Sequence, residues 1–537
     1  MHLHLHQIIV MTPWKPVLLG IACVVGLLLL LPSSLVLGTP LDDYVNKPDA
    51  NYRWHDTGRR LKGRFITGSW HGVVLNMTSQ SWLSSAEVDL PIWTHNLVIL
   101  IPKRVEYETA FLLIGGGSNT HGPPTATDEL LLLAAALAVK TKTLAAVVYQ
   151  VPNQPLHFSG DEEHCPRSED DIIAYTWARF MEDTGRVEWP AHVPMTKAAV
   201  RALDTVQAYA SRQLNLQVEF FVVGGASKRG WTTWLTGAVD KRVVGIVPMV
   251  MDLLKSGKNL HHFYRSLGGW PVSFEPYYFC NVTAKLDTTE FDQLMAIEDP
   301  YLYIQRLTMP KLVVTASNDE FFLIDDSIHF WDELEGENHH LILANSEHSL
   351  MTGLLKLLSA TEAFHLSIAM DRHSMKHTVA RSIPWTVGSV VNSRPKCWWS
   401  FDRETGRVVV SASEQPLAAI LWYAHTISSS ERRDFRWLTA DSGNCSTVIV
   451  GGMCFQPIFF RPRKISISAF DLSSNGTFTY MTTVTLPKNG YGAYFVEMKF
   501  RGPQLSSPFT FTTEAVIAPD EYPFADCHGP HCRGTLV

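Results

Sequence analysis

Three side chains of the types that cooperate in nucleophilic catalysis stand far apart in this chain, each just past an apolar run. Ser227 follows residues 218–223 in QVEFFVVGGASKRGW, Asp319 follows residues 311–316 in SNDEFF, and His348 follows residues 340–344 in NSEH. A serine hydroxyl is a weak nucleophile, so a histidine must take its proton and a carboxylate must fix the imidazole tautomer. His348 is the candidate base, because His339 and His340 stand at the start of their run rather than past its end. Asp319 is the candidate acid, and Asp252, just past the run 242–250, is the alternative. A developing oxyanion needs donors, for which the backbone N–H of Lys228 and one from Gly116 or Gly117 in GGGSN are the candidates; losing one such donor costs about 3 kcal/mol. Taken singly, a capping serine, a turn aspartate and a loop histidine would account for these residues. Their joint placement is what points to chemistry.

The elements that must position them can be read from the same pattern. Short apolar runs at 110–114, 143–150, 218–223, 242–250, 311–316 and 340–344 alternate with helix-like segments at 128–138, 169–180, 196–214, 231–239 and 326–334. Such alternation predicts an α/β fold, a mostly parallel sheet with helices on both faces. Ligands in these sheets bind at the carboxyl ends of the strands, where all three candidates stand. The order Ser, Asp, His is the α/β-hydrolase order, and strand, tight turn, helix is the setting of a nucleophile elbow. The elbow here reads G-x-S-x-x-G, because Arg229 occupies the usual second glycine position, leaving Gly225 and Gly230 to supply the close approach.

The chain divides into residues 1–38, a signal peptide or anchor; 39–375, the α/β-hydrolase-like domain with an insertion at 253–310; 376–396, a linker; 397–518, a smaller antiparallel β-sandwich of Ig or fibronectin type; and 519–537, a poorly ordered tail. Residues 72–102 alternate like antiparallel strands at the start of the sheet. The insertion carries Tyr264, Trp270, Phe274, Tyr277, Tyr278 and Phe279, more consistent with packing than with a lid. Alternating runs separated by N-G and T-G turns define the sandwich.

Of 537 residues, 46% are hydrophobic, and 45 basic residues face 52 acidic ones for a net charge of -7. No long charge run occurs, which argues against a nucleic-acid partner. Lys15 precedes an unbroken apolar run at 17–31 followed by Pro32 and small residues, the pattern of a secretory signal cut after Gly38. The alternative is membrane anchorage through residues 16–38, and the start is Met1 or Met11. Secretion makes Asn76, Asn281, Asn444 and Asn475 glycosylation candidates in surface loops or strand edges, and pairs Cys445 with Cys454 and Cys527 with Cys532 as disulfide candidates. The tail cysteines with His528 and His531 fit a disulfide better than a metal site, and no cofactor is implied.

Several blocks, among them VVYQVPNQPL, EDDIIAYTW, FFVVGGASKRGWTTWLTGAVDKRVVGIVPMVMD, LGGW, MAIEDP and SNDEFFLIDDS, resemble the PhoPQ-activated pathogenicity-related protein family, which includes autocrine proliferation repressor proteins. The resemblance spans about residues 42–509. It implies an α/β-hydrolase fold with a C-terminal β-domain, a secreted or periplasmic location, and Ser227, Asp319 and His348 at hydrolase-like positions. The Ser-Lys-Arg-Gly order also resembles the elbow of glucuronoyl esterases, which implies an oxyanion role for the Lys228 side chain. Two functions are therefore in view: a secreted serine hydrolase acting on an ester or amide of a small molecule, peptide or glycan, and a non-catalytic secreted signal that uses the fold to bind a cell-surface receptor.

Overall fold

Apolar, β-branched and aromatic runs with no polar face suit strands covered on both sides, and these runs form the middle of the sheet in the computed structural model. The structure describes residues 38–379, 394–427, 431–440, 449–450, 453–467, 471–472 and 476–537. Strands β1 (Arg53–Phe65), β2 (Gly68–Ser81), β3 (Ile92–Pro102), β4 (Thr109–Ile114), β5 (Ala145–Val148), β6 (Phe220–Ala226), β7 (Val243–Met249), β8 (Lys311–Ala316) and β9 (Asn338–Leu343) are ordered β1-β2-β3-β5-β4-β6-β7-β8-β9. The segment from β5 to β9 is parallel throughout, and β1, β2 and β3 form the antiparallel edge.

Helices cover both faces. Those at Asp170–Glu182, His192–Tyr209 and Lys228–Val239 lie with the insertion over one face, and those at Glu129–Thr141 and Leu354–Val379 over the other. The last helix was not legible in the sequence, and it carries the fold beyond residue 375. Conversely, the helix expected over 326–334 is two short 3-10 turns, Asp326–His329 and Trp331–Glu333. Asp325, just before it, pairs with Arg433 at 2.6 Å and His262 at 3.2 Å, and Asp326 turns back to the Leu323 N–H at 2.9 Å.

After residue 394 the strands are antiparallel. Arg461–Ile465, Ala418–His425, Gly492–Gln504 and Ser507–Thr512 lie side by side, and the last joins β9 through Thr512 and His340. A second sheet, containing Cys397–Phe401, Arg407–Ala412 and Phe478–Thr483, packs against this one through Val408, Val410, Leu421, Tyr480 and Val496.

The expectation of a poorly ordered tail is overturned. Trp270, fully buried in the insertion, donates from Nε1 to the Cys532 carbonyl at 2.9 Å and from its amide to the Thr535 carbonyl at 2.8 Å. Val537 in turn donates its amide to the Trp270 carbonyl at 2.8 Å, and a Cβ on Gly269 would meet the Thr535 carbonyl at 2.5 Å. Cys527 and Cys532 form the expected disulfide. The tail is short and polar, so its order depends on a partner far away in sequence. Cys445, Asn444, Asn475 and residues 1–37 of the expected signal segment 1–38 lie outside the described residues. No helix among the described residues is long and apolar enough to cross a membrane. Asn281 is exposed in a turn, whereas Asn76 sits half-buried within β2 between β1 and β3 rather than in a loop or at an edge.

Removing the indole that joins insertion and tail, Trp270→Ala, is expected to cost about 3–5 kcal/mol of stability, the range for deleting a buried tryptophan. Denaturant unfolding of the purified variant checks this.

Candidate active site

At the end of β6 the backbone turns sharply at Ser227, with φ 58° and ψ -128°. A non-glycine residue keeps such a conformation only where its surroundings over-determine it. They do so here. The Ser227 N–H donates to the Met249 carbonyl at 2.9 Å, and the helix Lys228–Val239 starts at the next residue. A Cβ on Gly225 would lie 2.6 Å from the Arg229 carbonyl, and one on Gly230 would lie 2.8 Å from that of Met249. The two glycines thus supply the close approach that the irregular motif left in question.

The loops after β8 and β9 are tied together before they deliver their side chains. The Asn345 N–H donates to Ser317 Oγ at 2.8 Å and the Asn318 N–H to the Ser346 carbonyl at 2.9 Å, while Asn318 Nδ2 reaches the Phe435 carbonyl of the C-terminal region at 2.8 Å. Asp319 and His348 then meet: Nδ1 of the imidazole lies 2.9 Å from both carboxylate oxygens. Asp319 Oδ1 also accepts from the N–H groups of Phe321 at 2.8 Å and Phe322 at 3.2 Å, which fixes the carboxylate. Nε2 of His348 is buried with no hydrogen-bond partner, so the structure does not bond it to the Ser227 hydroxyl. The Phe321 and Phe322 rings lie 4.2 Å and 5.7 Å from the His348 ring and also line the cavity that holds Ser227.

Asp252 does not reach His348. It is buried beside Asp319, and desolvation, then the charges of Asp319 and Asp325, push its carboxyl well above the usual range. Asp326 is raised for the same reasons, with burial first and Asp252 next. Burial also raises Glu320, which accepts the His348 N–H at 3.0 Å.

The loop carrying Gly116 and Gly117 lies against the elbow. The Gln150 N–H holds the Gly116 carbonyl at 2.8 Å, and a Cβ on Gly116 would meet the Arg229 guanidinium at 2.6 Å. Arg229 donates from Nε to the Val151 carbonyl at 2.6 Å and to both oxygens of Glu169. Lys228 begins its helix, and a first-turn N–H has no acceptor within its own helix. Its ammonium is bound to Glu169 at 3.0 Å and Asp170 at 2.9 Å, so the side chain is occupied by carboxylates. Burial would raise the Glu169 carboxyl, but Arg229 and Lys228 outweigh it and hold it well below the usual range.

Ser227 and Lys228 open onto a cavity of about 30 Å³ walled by aromatic side chains, among them Phe274 and Tyr277 of the insertion. The insertion therefore packs and also shapes the site. On the same wall stands His192, fully buried and stacked on Trp231 at 4.7 Å, with Nδ1 3.0 Å from the buried carboxylate of Glu298. Sequence reasoning gave no role to His192, Glu298, Glu169 or Asp170. Glu298 lies in a block that signalled only resemblance, and a lone histidine at a helix start carries no spacing signal.

A sequence model of the PhoPQ-activated pathogenicity-related protein family matches residues 41–436. Autocrine proliferation repressor protein A of Dictyostelium discoideum is 34% identical over 514 residues, covering 93% of this chain and 95% of that protein. Among solved structures, an acetyl xylan esterase from Paenibacillus sp. R4 aligns over 60% of this chain and 92% of its own, at 15% identity and a TM-score of 0.38. Acetyl xylan esterase 1 from Thermoanaerobacterium sp. JW/SL YS485 aligns over 61% and 93%, at 13% identity and a TM-score of 0.39. These structural likenesses are too distant to carry the reading of the site, whereas the two sequence matches run through the elbow, the SNDEFF loop and the His348 loop. The chain belongs to the PhoPQ-activated pathogenicity-related protein family.

Proposed function

We propose that this protein is a secreted serine hydrolase that cleaves an ester or amide bond. The observation that carries the reading is the His348 imidazole, clamped through Nδ1 by both oxygens of Asp319 while its Nε2 stays buried and unpaired. A carboxylate on Nδ1 leaves the Nε2 lone pair as the base of the neutral ring, the state a general base requires. In apo structures the nucleophile–base contact is often long and tightens on substrate binding. Ser227 then attacks the carbonyl carbon, its proton passes to His348 Nε2, and Asp319 stabilises the imidazolium. The oxyanion takes the Lys228 N–H and a donor from the Gly116–Gly117 loop. His348 next protonates the leaving group, and water, activated by the same imidazole, releases the acyl group.

A second reading is a non-catalytic signal, favoured by the name of the Dictyostelium relative and by the absence of a Ser227–His348 hydrogen bond. The two separate on one substitution. A fluorophosphonate probe is expected to label the wild-type protein and not Ser227→Ala; equal labelling of both ends the hydrolase reading. Under the signalling reading, Ser227→Ala would retain full repression of proliferation when the purified protein is added to cells.

Replacing Asp319 by Asn is expected to lower turnover of an activated ester by about 10⁴-fold, as loss of the orienting carboxylate does in such triads. Asp252→Asn removes a carboxyl whose charged form burial disfavours, and it is expected to change turnover less than about threefold, an estimate for a group outside the proton path. Parallel ester kinetics on the two variants check the choice of acid.

The same raised carboxyl gives a pH signature. An acid whose folded pKa lies above its unfolded value contributes stability that is complete below the unfolded pKa and is lost as pH rises through the folded one. Asp252→Asn removes that loss, so its thermal midpoint relative to wild type is expected to climb as pH rises above the ordinary carboxyl range. Melting curves across this range, showing a constant or falling difference, would refute the assignment.

A further inference from the structure

A second histidine–carboxylate pair, His192 with Glu298, reaches the wall of the Ser227 cavity through the imidazole, and the proposed triad makes no use of it. Glu298 accepts three hydrogen bonds, from Trp177 Nε1 at 2.5 Å, the His192 amide at 3.1 Å and His192 Nδ1 at 3.0 Å. The indole and the amide can only donate, and between them they reach both carboxylate oxygens. The tautomer that matches these partners has the ring proton on Nδ1, which makes Nε2 the acceptor. That atom is buried and has no partner, in a ring that is itself fully buried. Joining two helices to the Glu298 segment needs only Trp177 Nε1, the His192 amide and Nδ1. Leaving Nε2 unpaired has a cost of its own, which a purely structural role does not explain.

The surroundings restrict what can meet that lone pair. The ring is held face to face on Trp231 at 4.7 Å and tilted against Trp177 at 6.5 Å, so it cannot swing away. Of the other polar side chains lining the cavity, Lys228 is bound to Asp170 at 2.9 Å and Tyr277 donates to Asp170 at 3.1 Å. A cavity of about 30 Å³ has room for roughly two waters, which excludes a long chain. We infer that His192 Nε2 is the polar anchor of an acyl pocket that takes a short acyl group bearing an O–H or N–H donor, such as a 2-hydroxyacyl group, in preference to a plain acetyl group. This assignment rests on the hydrolase reading for placing the acyl carbon at Ser227. Its content, a donor met by His192, can be measured without turnover.

The experiment uses the full chain carrying Ser227→Ala, so that bound esters persist, titrated calorimetrically with phenyl glycolate and phenyl acetate. The two ligands differ by one hydroxyl. Phenyl glycolate is expected to bind at least about tenfold more tightly, because a buried acceptor left unpaired penalises the analogue that lacks the donor. Adding His192→Phe is expected to reduce the ratio to less than about twofold, the remainder left once no polar partner is present. Equal affinities in Ser227→Ala, binding of neither ester, or a ratio that survives His192→Phe each overturn the proposal. If the phenylalanine variant fails to fold, the ratio in Ser227→Ala alone decides. Fluorophosphonate labelling of the wild-type protein is read separately: a tenfold ratio without labelling keeps the anchor and ends the hydrolase reading, and labelling with a ratio of one does the reverse.

Discussion

The site depends on a close approach of backbones at Ser227. The left-handed φ of that residue is unfavourable for any side chain but glycine's, and it persists because strand β6, strand β7 and the helix Lys228–Val239 converge too tightly to relax. Gly225 and Gly230 permit the convergence, since a methyl group at either would collide with a backbone carbonyl. Arg229, in the place of the usual elbow glycine, has a use of its own. Its guanidinium reaches Val151 and Glu169 and lies against Gly116, so the residue that weakens the motif on paper cross-braces three loops around the nucleophile.

Charge follows the same plan. Three cations are each held by carboxylates at the rim of the sheet, Lys228 and Arg229 by Glu169 and Asp170, and Arg433 by Asp325. Among the described residues Asp252 and Asp326 have no such lysine or arginine, and burial drives both towards the neutral acid. Asp319 is satisfied differently, by two amides and the imidazole, and this separates it from its acidic neighbours as the partner of His348.

The parallel strands, the elbow and the Asp319 and His348 loops were legible because each is announced locally, by an apolar run and the polar residue just past it. The run at 311–316 coincides with β8, and Ser227 stands where β6 ends. The long helix Leu354–Val379 was not legible, since Thr361, Glu362, His365 and Ser367 are buried along with Leu357, Ala360 and Phe364, which leaves no clean apolar stripe to read. The region 326–334 looked helical, but Asp325 just before it is drawn to His262 and Arg433, contacts that no window of sequence contains, and Asp326 turns back to the Leu323 amide. His192 and Glu298, like the ordered tail, are visible only once distant segments are side by side.

The docking of residues 532–537 onto Trp270 bears on the order in which the pocket can be assembled. Trp270 stacks on Phe274 at 6.1 Å, and Phe274 is part of the cavity wall beside Ser227. During synthesis the strands of the parallel sheet can pair long before residues 532–537 leave the ribosome. The wall of the pocket acquires its final support only after they emerge, so a nascent or clipped chain would hold the nucleophile in place while its binding surface is still loose.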